Sequence, residues 1–144
     1  MSWRDSASQL AQDDHDALLN LILPLAQQML EREGEFYPFG AAMKSDGQHE
    51  MVMGYSDTGD RPPSAAMMAT MIDGLRGQRD GLRAVGFCAN VRVSDSDAVR
   101  VDLEHREGQA MAVLLPYKKR FGRGVEFSAL RAGPAKSQVW LADE

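Results

Sequence analysis

The densest set of chemically capable side chains is Asp102, Glu104, His105 and Arg106. A carboxylate that orients an imidazole is the core of a general base. Spacing decides against one here. Residues 99 to 106 alternate apolar and polar, so Asp102, Glu104 and Arg106 project to one face of a strand. His105 projects to the other face, with Val101 and Leu103, and a neighbour pointing away cannot orient it. Arg100, Asp102, Glu104 and Arg106 read instead as a solvated face of alternating sign.

The remaining candidates are dispersed. His15, His49 and His105 are the three histidines and Cys88 the single cysteine, with no two histidines at helical i, i+4 spacing. Zinc needs three or four converging ligands, so neither a metal nor a cofactor is expected. Asp57-Thr58-Gly59-Asp60 and Asp95-Ser96-Asp97 lack the oxygen-ligand pattern of a calcium loop and read as turns. Gly122-Arg123-Gly124 is too short for a phosphate loop, and no Gly-x-Ser-x-Gly elbow occurs. Cys88 sits in an apolar run with no adjacent cation and reads as a core thiol. No catalytic residue is assigned.

Two surfaces invite a binding reading. The run Tyr117-Lys118-Lys119-Arg120-Phe121-Gly122-Arg123 interleaves cations with rings, a pattern that can hold single-stranded nucleic acid. Against that stands a net charge of −5, so these cations are expected to be exposed guards of a strand end, with no nucleic-acid partner. Methionine is abundant, nine in 144 residues, and Met43, Met51, Met53, Met67, Met68 and Met71 fall on one hairpin and the following helix. Met67, Met68 and Met71 cannot all lie on one narrow buried stripe. A flexible thioether surface suits a protein partner or a second copy of the chain. Met51, Met53, Met67, Met68 and Met71 form the expected interaction surface.

The elements that would carry these residues follow from periodicity. A helix is expected from Asp13-Asp14, with Leu18, Leu19, Ile22, Leu25, Ala26, Met29 and Leu30 inward, a kink or break at Pro24, and Gly34 as its cap. The Asp46-Gly47 pair between two apolar runs predicts a hairpin. Small residues in its first strand (Gly40, Ala41, Ala42) predict close packing across it. Ser64 opens a second helix reaching about Leu82, with Ala65, Met68, Ile72, Leu75 and Leu82 inward. Strands around Ala89–Val93, Val99–Leu103 and Met111–Tyr117 follow, and shorter ones are expected over Val125–Ala129 and Gln138–Leu141.

At 44% hydrophobic and 26% charged residues, the chain suits one folded domain over 1–144, with residues 1–12 as a loosely ordered tail. No secretory signal is visible, and the apolar stretch from Leu18 to Met29 is too short and too polar to span a bilayer. A bacterial-type cytoplasmic setting is expected. The order α-β-β-α-β-β-β, with one or two further strands, predicts an α+β fold. Its mainly antiparallel sheet has five to six strands, and two helices pack on one face.

That order resembles profilin-like and roadblock-type domains, where a hairpin, a helix and a three-stranded meander share a sheet. The segments from Gly34 to Ala41 and from Leu103 to Ala110, with Leu115-Pro116-Tyr117, are similar to those of small uncharacterised bacterial proteins; that resemblance brings no catalytic residue. Two functions are expected. The first is a non-enzymatic protein-binding or adaptor domain using the methionine surface. The alternative is a small-molecule-binding protein or small enzyme with Tyr37, His49, Tyr55 and Glu104 around a pocket between sheet and helices.

Overall fold

The computed structural model describes residues 8–53, 64–94, 96–120, 122 and 124–140. Helix α1 spans Gln9–Glu33. Ser8 caps it, its hydroxyl accepting from the Ala11 amide at 3.0 Å, so the helix begins four residues ahead of Asp13 and takes in part of the expected tail. Pro24 is exposed, where the carbonyl it leaves unpaired can meet water, and the helix runs through it without a break. Gly34 ends it in the left-handed conformation (φ +79°), donating to the Leu30 carbonyl at 2.9 Å.

Strands β1 (Phe39–Lys44) and β2 (His49–Met53) form the expected hairpin. Gly47 takes φ +91° in its turn, and the Asp46 carboxylate accepts from the Gln48 amide at 2.9 Å. Helix α2 (Ser64–Gln78) stops four residues short of Leu82, passing into a 3-10 turn over Arg79–Gly81. Then come β3 (Leu82–Val93), β4 (Ser96–His105), β5 (Ala110–Arg120), β6 (Gly124–Phe127) and β7 (Arg131–Pro134). The fold is α+β, with one antiparallel sheet ordered β2-β1-β3-β4-β5-β6. β7 shares the outer edge of β5: Tyr117–Arg120 of β5 pair with β6, and Met111–Leu114 with β7.

The helices take opposite faces of this sheet, not one. Leu18, Ile22, Ala26 and Leu30 of α1 pack on Phe39, Ala41, Cys88, Val101 and Leu103. Met71, Ile72 and Leu75 of α2 pack on Ala42, Val85 and Phe87, the alternate residues of the same strands. Two glycines mark the close approaches. A Cβ on Gly86 would lie 2.6 Å from Ile22 Cδ1 of α1, and one on Gly40 would lie 3.3 Å from Met71 Sδ of α2 and 2.2 Å from the Gly86 carbonyl. The strand expected over Gln138–Leu141 is replaced by β7, which Pro134 closes. Residues 138–140 instead form bends that lie against the α2 face. Among the described residues, no helix is long and apolar enough to cross a membrane.

Candidate functional site

Among the described residues the buried polar or charged side chains are Asp14, His15, Glu104 and His105. His105 faces α1, as alternation requires, and its partner comes from 91 residues away. The His105 Nε2–H donates to Asp14 Oδ2 at 2.8 Å. Arg83 grips the same carboxylate with two bonds, Nε and Nη2 each at 3.0 Å. His15 meets His105 edge-on at 6.1 Å between centroids. A carboxylate–imidazole pair resembles half of a catalytic triad, but the other ring nitrogen is taken, since Nδ1 accepts the Glu107 amide at 3.2 Å. With both nitrogens engaged and the ring 1% exposed, His105 has no atom to offer a substrate. It ties α1 to the end of β4.

Glu104 faces the opposite side and is consumed just as fully. Oε2 accepts the Gln138 amide at 2.9 Å, while Oε1 accepts those of Val139 and Trp140 at 2.9 and 2.7 Å. Arg76 Nε of α2 and Arg79 Nη1 of the following 3-10 turn donate to the carbonyls of Gln138 and Val139. One carboxylate and two guanidiniums thus fasten the returning chain and drive Val139 into the α2-side core. These amides would otherwise seek a strand ladder, which is why no strand forms there.

A cleft of about 800 Å³ opens at the far end of the sheet. Met29, Phe36, Tyr37, Met53 and Val91 form its apolar wall. Glu33, Glu35, Asn90, Arg92 and Asp97 supply polar groups, and Ser64 closes one side. Phe36 packs edge-on against Phe39 (5.7 Å, 72°), which fixes the segment and leaves its neighbour Tyr37 46% exposed. Gly34 turns the chain between Glu33 and Glu35, so both carboxylates reach the rim. Neither makes a hydrogen bond or ion pair among the described residues. Asp97 instead accepts from Arg92 at 3.2 Å. Asn90 accepts the Tyr117 hydroxyl at 2.6 Å; burial, more than this bond, sets the phenol's acidity and raises its pKa.

The expected sites are only partly brought together. Met67 and Met71 are core residues and Met68 is half-buried against them, because α2 lies on the sheet with its methionines inward. Met51 and Met53, 42% and 66% exposed on β2, are the members at the surface. Tyr37 lines the cleft, but His49 sits by the hairpin turn at the other end of β2, and Glu104 holds residues 138–140. Tyr55 lies outside the described residues. Glu33, Glu35, Asn90 and Arg92 carry no motif, and only the fold gathers them. Among the described residues, no group of three or more His, Cys, Asp or Glu is placed to hold a metal ion.

Fold and cleft define the class: an α+β domain with a helix on each face of an antiparallel sheet and a mixed apolar–acidic cleft at one end. Compared with known proteins, the chain matches no family model and has no significant similarity to a curated protein or a solved structure.

Proposed function

We propose that this chain is a non-catalytic binding domain whose partner protein seats at the cleft and along β2. One observation carries the reading. The buried polar groups at Asp14, Glu104 and His105 are spent on holding the fold, whereas the cleft combines exposed Tyr37 and Met53 with two carboxylates, Glu33 and Glu35, that have no ion pair among the described residues. Exposed rings and thioethers beside polar groups are the composition of a recognition surface. A cytoplasmic setting suits a chain with one buried thiol and no disulfide.

Site-specific photo-crosslinking tests this. A benzophenone amino acid at Tyr37 or Met53 should give one discrete adduct in native lysate, while the same group at exposed Leu130 should not. The captured protein, purified, should then compete with its own crosslinking. Equal labelling from all three positions, or none, would sink the reading. A second copy is one form the partner can take, and an adduct of twice the chain mass identifies it.

The cleft volume also falls within the range of small-molecule sites, about 300–1,000 Å³, which supports the second reading of a metabolite-binding protein. A thermal-shift panel separates the two, because a small ligand of the native state raises the melting temperature without any protein partner.

A further inference from the structure

The chemistry of the cleft narrows its occupant, given the reading above that the cleft is the binding surface. Among the described residues that line it, negative charge is in excess. Asp97 is paired with Arg92, whereas Glu33 and Glu35 stand at the rim without an ion pair among the described residues. Helix α1 ends between them at Gly34, so its last carbonyls and the negative end of its dipole add the same sign. Two cations lie near but do not line the cleft: Arg32 in the same turn, and Lys119, whose ammonium is 3.6 Å from where a Cβ on Gly34 would stand. The exposed Tyr37 ring offers a face to a cation.

The occupant is also extended. Among the described residues β2 pairs only with β1, so its outer backbone edge has no strand partner among them, and such an edge suits the addition of a strand. Met51 and Met53 carry the apolar surface out of the cleft along that strand.

We propose that the cleft binds an extended segment of a partner protein through an arginine or lysine. The aliphatic stem rests on Met53 and Tyr37, and the charge sits beside Glu33 and Glu35.

The test is an amide NMR titration of the full chain with Ac-Leu-Arg-Leu-NH2, Ac-Leu-Gln-Leu-NH2 and Ac-Leu-Glu-Leu-NH2. The arginine peptide should shift the amides of Glu35, Tyr37, Met53 and Asn90 and bind about tenfold more tightly than the glutamine peptide. The glutamate peptide should be weakest. Raised salt should shrink the preference, because the carboxylates are exposed. The double variant Glu33→Gln/Glu35→Gln should erase it with the melting temperature unchanged. Equal binding of arginine and glutamine peptides at the cleft would overturn the cation preference and leave the binding reading standing. Free arginine binding as well as the peptide would overturn the extended occupant. Absence of any cleft shift with every probe would overturn the binding reading as well.

Discussion

Cys88 is fully buried beneath α1, and burial, with a smaller contribution from the Asp102 carboxylate, pushes its thiol well above the ordinary 9.0. A raised acid pKa makes the native state hold its proton after the unfolded chain has lost it. The stability tied to Cys88 is therefore complete below pH 9.0 and declines as pH climbs above it. Tyr117, raised from 10.0 chiefly by burial, adds to the decline at higher pH. Unfolding free energies from urea titrations should fall above pH 9.0, at up to about 1.4 kcal/mol per pH unit for each group above its ordinary pKa, and Cys88→Ala should flatten the fall. An unaltered slope in that variant would refute the coupling. Asp14 bears a heavier load, since Asp14→Asn leaves Arg83 facing a neutral amide beside His105. The expected cost is about 3 kcal/mol in chemical denaturation, at the low end for a broken buried pair because the Arg83 side chain is 23% exposed. A change under about 0.5 kcal/mol would contradict that role. At this scale the sequence is legible only locally. Alternation correctly turns His105 away from Asp102 and Glu104, but nothing in the chain announces a partner 91 residues earlier on a helix.

Elements were easier to read than their assembly. Asp46-Gly47, Gly34 and the alternation of β4 and β5 each act through neighbours in the chain, so hairpin, cap and strands form where expected. The helices lie on opposite faces and not on the one face expected, and the residues of the central strands carry the signal for it. Phe39 to Met43 and Ala84 to Cys88 are continuous small or apolar runs, and both are buried throughout. A strand apolar on both sides needs cover on both sides. Two glycines in these runs make unequal demands. A Cβ at Gly40 meets the Gly86 carbonyl at 2.2 Å, which is backbone and cannot step aside, whereas a Cβ at Gly86 first meets the flexible tip of Ile22. Gly40→Ala should destabilise by about 3 kcal/mol or prevent folding, and Gly86→Ala by about 1–2 kcal/mol. Thermal melts of both variants give the order, and equal costs would contradict it. Residues 138–140 yield a sharper case. Glu104→Gln swaps one acceptor oxygen for an NH2 facing amide donors, and should cost about 2–3 kcal/mol and alter Trp140 fluorescence. An unchanged emission spectrum and melting temperature would mean that Glu104 does not hold the segment.

Across the whole molecule, charge separates the possible partners. The net −5 repels a polyanion at long range, so binding one would require the cations at the end of β5 to overcome that field locally. Lys118, Lys119 and Arg120 are exposed there, while Arg123 lies outside the described residues. Arg120 is already engaged: its Nε donates to Glu126 at 2.8 Å, and that contact holds the Glu126 carboxyl below its ordinary range. The pair is solvent-exposed and adds little stability, but it does reduce the cation supply of the patch. Each neutralised phosphate contributes about 0.9 to the slope of log affinity against log salt, so four cations could give at most about 3.6. Labelled single- and double-stranded oligonucleotides titrated at low salt should therefore show no saturable binding at micromolar protein. Micromolar binding with a slope near 3.6, lost when Lys118, Lys119, Arg120 and Arg123 become alanine, would reverse this conclusion. The functional face would then move from the acidic cleft to the end of β5.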